Sequence, residues 1–70
     1  MKLDKESKQL LTVGCILSNA RTSEKYIVTT LLENKRGNML ITVQDMKTRQ
    51  RLYLVRVSMF YGFTLEKPEK

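Results

Sequence analysis

The sequence predicts an all-β domain, a small five-stranded barrel built on an antiparallel meander. Three observations predict it. The stretch from Tyr26 to Val57 contains three β-favouring runs, YIVTTLL, MLITVQ and QRLYLVRV, rich in the β-branched and aromatic residues that fit a pleated surface. Two short polar loops, ENKRGN and DMKTR, separate those runs and carry turn chemistry. No helical period is sustained for long anywhere in the chain.

The elements follow in order. Residues 1–9, MKLDKESKQ, read as a flexible or one-turn helical lead-in, with Asp4 or Ser7 as its cap and Leu3 as a pin to the barrel. Residues 10–18 are predicted as the first strand. Leu11, Val13, Cys15 and Leu17 share one face, and Gly14 marks a bulge or bend. Residues 19–25, NARTSEK, form a loop. The second strand is expected over 26–33, both faces fairly apolar. At NKRGN, Gly37 supplies the positive φ of a type I turn followed by a bulge, projecting Lys35 and Arg36 from the tip. The third strand is expected over 39–45, with Met39, Ile41 and Val43 on one face. Asp45 then opens a second tight turn by accepting a backbone N–H two residues on. The fourth strand is expected over 50–59. Plain alternation puts Arg51, Tyr53 and Val55 on one face and Leu52, Leu54 and Arg56 on the other. Residues 60–65 close the domain as a fifth strand, so the barrel spans 10–65, and 66–70 form a solvated tail.

Seventy residues make one domain, small enough to be marginal without a disulfide, a metal or oligomerisation. Cys15 is the single cysteine and there is no histidine. An internal disulfide and a Cys/His zinc site are therefore both excluded, and a homodimer through a strand edge is the support left open. A lone thiol and the lack of a signal-like apolar segment point to the cytoplasm.

Thirteen Lys and Arg face seven Asp and Glu, a net charge of +6. The excess is concentrated in the middle. Within residues 34–56, Lys35, Arg36, Lys47, Arg49, Arg51 and Arg56 face only Asp45. Such a bias favours polyanions.

The chain resembles the SH3-like barrels, small members of which include short phage and plasmid proteins. The resemblance rests on Val13-Gly14-x-Ile16, Tyr26-x-Val28, Ile41-Thr42-Val43-x-Asp45-x-x-Thr48, the run Leu52 to Val57, and Phe60. It spans residues 10–65. The chain departs from that pattern after Thr48, where no glycine follows, and it lacks Trp and the acidic-aromatic peptide-binding signature. What the resemblance implies is a fold, and a fold does not specify a function.

Catalysis, metals and cofactors are not expected. No histidine is present as a base, no Ser or Cys has an activating partner, and the three glycines are too scattered for a phosphate loop. The expected role is a non-enzymatic binding module. Nucleic acid is the first partner, held through Lys35, Arg36, Lys47, Arg49 and Arg51, with Tyr53 as a stacking ring. Phe60 and Phe63 are assigned to the core. The alternative is protein–protein interaction, as a phage- or mobile-element-encoded inhibitor or adaptor meeting an acidic host protein surface. No membrane role is expected, because no amphipathic helix is present. Successive hairpin turns lie at opposite ends of a meander, so the basic residues are expected to form two rims.

Overall fold

The computed structural model describes residues 1–67. Five antiparallel strands form one sheet: β1 (Ile16–Asn19), β2 (Glu24–Glu33), β3 (Met39–Asp45), β4 (Arg51–Arg56) and β5 (Thr64–Glu66). Their spatial order is β4-β3-β2-β1-β5. The all-β meander is as predicted. The ladder does not close on itself; β4 and β5 are its two edges. Among the described residues, no helix is long and apolar enough to cross a membrane.

Four strand assignments need correction; β2, expected over 26–33, already begins at Glu24. The first strand, expected over 10–18, begins only at Ile16. Before it lies a 3-10 turn at Ser7–Leu10, followed by a turn in which Gly14 has φ 97°. That conformation breaks the alternation: Leu11 and Cys15 are buried while Val13 is exposed. The fourth strand, expected over 50–59, ends at Arg56. Residues Val57–Phe60 wind into a second 3-10 turn. With about three residues per turn, its two buried side chains, Val57 and Phe60, fall on one side. The fifth strand shrinks accordingly from 60–65 to Thr64–Glu66.

The lead-in is tied to the sheet. Leu3 is fully buried, and residues 1–3 run along β5. The Leu3 N–H donates to the Phe63 carbonyl at 2.7 Å, Gly62 N–H to Leu3 at 2.8 Å, and Leu65 N–H to Met1 at 2.6 Å. Asp4 Oδ1 accepts the N–H groups of Glu6 and Ser7 at 2.9 and 2.8 Å, which starts the first 3-10 turn. These contacts hold the Asp4 carboxyl below its usual range, led by the Ser7 N–H. Of the tail predicted over 66–70, Glu66 ends β5 and Lys67 is exposed; residues 68–70 lie outside the described residues.

The core lies on one face of the sheet, where Leu17, Val28, Ile41 and Val43 are fully buried and cluster with Val57, Phe60 and Leu65. Cys15 is buried among them, with its sulfur 3.3 Å from Thr12 Oγ1. The Tyr26 ring packs edge-on to Phe60 with centroids 5.3 Å apart, and Phe60 meets Phe63 at 5.2 Å. The two phenylalanines therefore belong to the core.

Candidate nucleic-acid interface

Each turn is built by its first polar side chain. Asn34 Oδ1 accepts the N–H groups of Arg36 and Asn38 at 2.9 and 3.0 Å, and Gly37 takes φ 78°. Lys35 and Arg36 are left exposed at that tip. In the β3–β4 turn, Asp45 Oδ1 accepts from Lys47 and Thr48 at 2.7 and 3.1 Å. Arg49 there has φ 64°, the left-handed conformation that a glycine would adopt without strain. Lys47 and Arg49 point to solvent.

The register places the two turns at opposite ends of the sheet, since Glu33 pairs with Met39 and Tyr26 with Asp45. Lys35 and Arg36 are therefore separated from Lys47 and Arg49 by the length of β3, roughly 20 Å for a strand of this size. Lys25 joins the second group, because its carbonyl accepts the Met46 N–H at 2.9 Å. So far this is the arrangement of two rims that the sequence predicts.

Thr42 changes it. Both register shifts in the sheet lie beside this residue. One falls between Val28 and Thr30 on β2; the other lies along β4, where Ile41 pairs with Val55 and Val43 with Leu52. Each is a bulge with one extra residue on the strand flanking β3. Thr42 serves both: its carbonyl accepts Thr29 Oγ1 at 3.2 Å, and its own Oγ1 accepts the Leu54 N–H at 3.1 Å. Leu54 takes φ 48° in the β4 bulge.

The consequence is a correction of phase. Arg51 lies opposite Gln44 and Arg56 opposite Leu40. Gln44 and Leu40 are four residues apart on regular β3, so they share a face, and so do Arg51 and Arg56. Uninterrupted alternation puts those two arginines on opposite faces. Leu52 and Val55 likewise come together, opposite the core residues Val43 and Ile41. The same effect on β2 puts Leu31, opposite Ile41, on the side of Val28.

β4 thus carries a guanidinium near each end of one face, with Cα atoms about 14 Å apart by strand geometry. Arg51 is steadied by its Nε, which donates to Gln44 Oε1 at 3.2 Å. Between the arginines stands Tyr53, 70% exposed. A ring so open on a strand adds nothing to the core. The charge of β4 bridges the two ends: Arg51 adjoins the Lys25, Lys47 and Arg49 group, and Arg56 reaches the end where Lys35 and Arg36 sit. Neither Arg56 nor Lys25 is among the binding residues expected from the sequence. Arg56 had one legible signal, its position among apolar neighbours.

Tyr26 is not part of this surface. Its hydroxyl donates to Glu24 Oε2 at 2.7 Å, and Thr22 Oγ1 donates to the other oxygen at 2.7 Å. That hydrogen bond, helped by burial, pushes the Tyr26 phenol up to about 12. The same contact holds Glu24 below its ordinary value.

At the Arg56 end there is a cleft of about 110 Å3, lined by Lys8, Asn38, Met39, Arg56, Val57, Ser58 and Tyr61. Three separate segments supply those residues, and no carboxylate is among them. Nothing in the sequence links Lys8 to Arg56. The chain matches no family model, no curated protein and no solved structure.

Proposed function

We propose that this protein is a non-enzymatic nucleic-acid-binding module that lays a single strand of DNA or RNA along β4. The observation that carries the reading is the bulge that brings Arg51 and Arg56 to one face with exposed Tyr53 between them. Lys47 and Arg49 extend the track at one end, and Lys35 and Arg36 at the other. The arginines neutralise phosphates, while the ring stacks on an unpaired base. A single strand suits this edge better than a duplex, because a stacked base pair has no free face for Tyr53. The connectivity, a four-stranded meander whose chain returns by a 3-10 turn to set β5 beside β1, supports an SH3-like type for the domain.

The alternative reading is a protein-interaction module. Exposed Leu52 and Leu54 on β4 favour it. Pairing through a sheet edge is disfavoured by two features: the bulge interrupts the β4 ladder, and residues 1–3 line β5. Fluorescence anisotropy with short single- and double-stranded oligonucleotides separates the readings. The expected result is tighter binding of the single strand, weakening steeply from low to moderate salt. Absence of binding to either at low salt refutes the nucleic-acid reading, and salt-insensitive binding of a protein supports the alternative.

A further inference from the structure

We propose that the cleft at the Arg56 end of β4 is an oxyanion site that seats one phosphate group. Its lining carries two cations, Lys8 and Arg56, two hydroxyls, Ser58 and Tyr61, and the Asn38 amide. Every one of these side chains can donate a hydrogen bond, and only the hydroxyls and the amide can also accept. A hollow lined by donors and free of carboxylates selects an anion over a cation. Lys8 is half-buried, and the 3-10 turn at Ser7–Leu10 anchors its backbone: Lys8 N–H donates to Asp4 and its carbonyl accepts Leu11 N–H. The backbone part of the ordering cost at Lys8 is thereby met before any ligand arrives. Glu33, the cross-strand partner of Met39, does not line the cleft.

Size agrees with that ligand. One water needs about 10–15 Å3 of such space, so about 110 Å3 leaves room for a phosphate-sized group. The bound phosphate would lie off the end of the β4 track, and Arg56 belongs to both. As a seat for a nucleic-acid phosphate the cleft rests on the function proposed above. As an oxyanion site it stands without it.

The test begins with inorganic phosphate, titrated at fixed ionic strength against a chloride control and followed by amide resonances in two-dimensional NMR. Saturable shifts confined to Asn38, Ser58, Tyr61 and their neighbours are expected. Lys8→Gln should weaken the binding about tenfold, the scale of one charge-assisted hydrogen bond, and Ser58→Ala should weaken it less. Lys5→Gln, which removes an equal charge outside the cleft, should leave it unchanged. Shifts no larger than with chloride, or equal weakening by Lys5→Gln and Lys8→Gln, overturn the proposal. Oligonucleotides with and without a terminal phosphate then identify the source. If the terminal phosphate tightens binding and Lys8→Gln erases that gain, the cleft holds a strand end. If Lys8→Gln instead lowers the salt slope by about 0.7 regardless of the terminus, it holds an internal phosphodiester. Oligonucleotide binding indifferent to Lys8→Gln overturns the cleft as a strand contact while leaving the β4 track intact. Phosphate binding without any oligonucleotide binding does the reverse: it refutes the proposed function and supports a site for a free oxyanion.

Discussion

Thr42 Oγ1 accepts the backbone N–H of Leu54 at 3.1 Å, a bond that spans the bulge setting the phase of the edge strand. Thr42 is buried, although it lies on the face of β3 away from the core. Replacing it with Val keeps the shape and removes the acceptor. Leu54 N–H then loses its partner at a cost of about 1–3 kcal/mol. Urea denaturation should show that loss. Thr42→Ser, which keeps the oxygen, should retain the native resonances of Tyr53 and Leu54. If Thr42→Val is as stable as the parent, the bulge is held by something else.

Tyr53 should matter for binding and not for folding. Tyr53→Ala is expected to weaken single-strand binding by about 1–3 kcal/mol, the range for one stacked base. Its urea midpoint should match the parent, and Tyr53→Phe should bind nearly as well. A stability loss in Tyr53→Ala with unchanged affinity would return the ring to a structural role.

Arg49 combines a charge with φ 64°, and two substitutions separate the effects. Arg49→Gly and Arg49→Ala remove the same charge, so both should weaken oligonucleotide binding alike and reduce its salt dependence. In stability they should differ. Glycine accepts the left-handed conformation that costs an L-residue about 1–2 kcal/mol, so Arg49→Gly should be the more stable by about 1 kcal/mol. Equal midpoints would mean that the turn relaxes when the arginine is lost.

Leu3 tests the tie between the lead-in and the sheet. It is fully buried, and Leu→Ala in a core costs about 2–5 kcal/mol. In a domain of this size that is most of the stability to be expected. Leu3→Ala should therefore be largely unfolded or shift its urea midpoint sharply, as read by circular dichroism. Met1→Ala, at an exposed side chain, should not.

The Tyr26–Glu24 bond predicts two pH limits. Glu24 has a carboxyl depressed in the folded state from its ordinary 4.5. Its contribution is present above that value and is lost as pH falls through the folded value. Tyr26 is raised from 10 to about 12. Its contribution is present below pH 10 and is lost as pH rises toward about 12. Tyr26→Phe removes the Tyr26 contribution and the larger part of that of Glu24, which keeps its bond from Thr22 Oγ1. The difference in urea midpoint between parent and Tyr26→Phe should be greatest at neutral pH and shrink at both extremes. A difference independent of pH would rule this pair out as the cause.

The sequence by itself determined the all-β class, the meander, the extent of β3 and the two hairpin turns that flank β3. Each depends on neighbours along the chain: Asn34 and Asp45 bond to N–H groups two to four residues on, and Gly37 answers for its own φ. Alternation also reads correctly along β3, the one long strand without a bulge of its own. Only the tertiary structure decided the phase of β2 and β4. The residue that sets it, Thr42, acts across the sheet on Thr29 and Leu54, and one inserted residue turns every later side chain to the other face. It likewise decided that Lys8 and Arg56 share a cleft, because the path of residues 1–10 is fixed by burying Leu3 against the last strand. Local turns are written in adjacent residues. The face an arginine presents depends on hydrogen bonds between strands, which period-two reading does not contain.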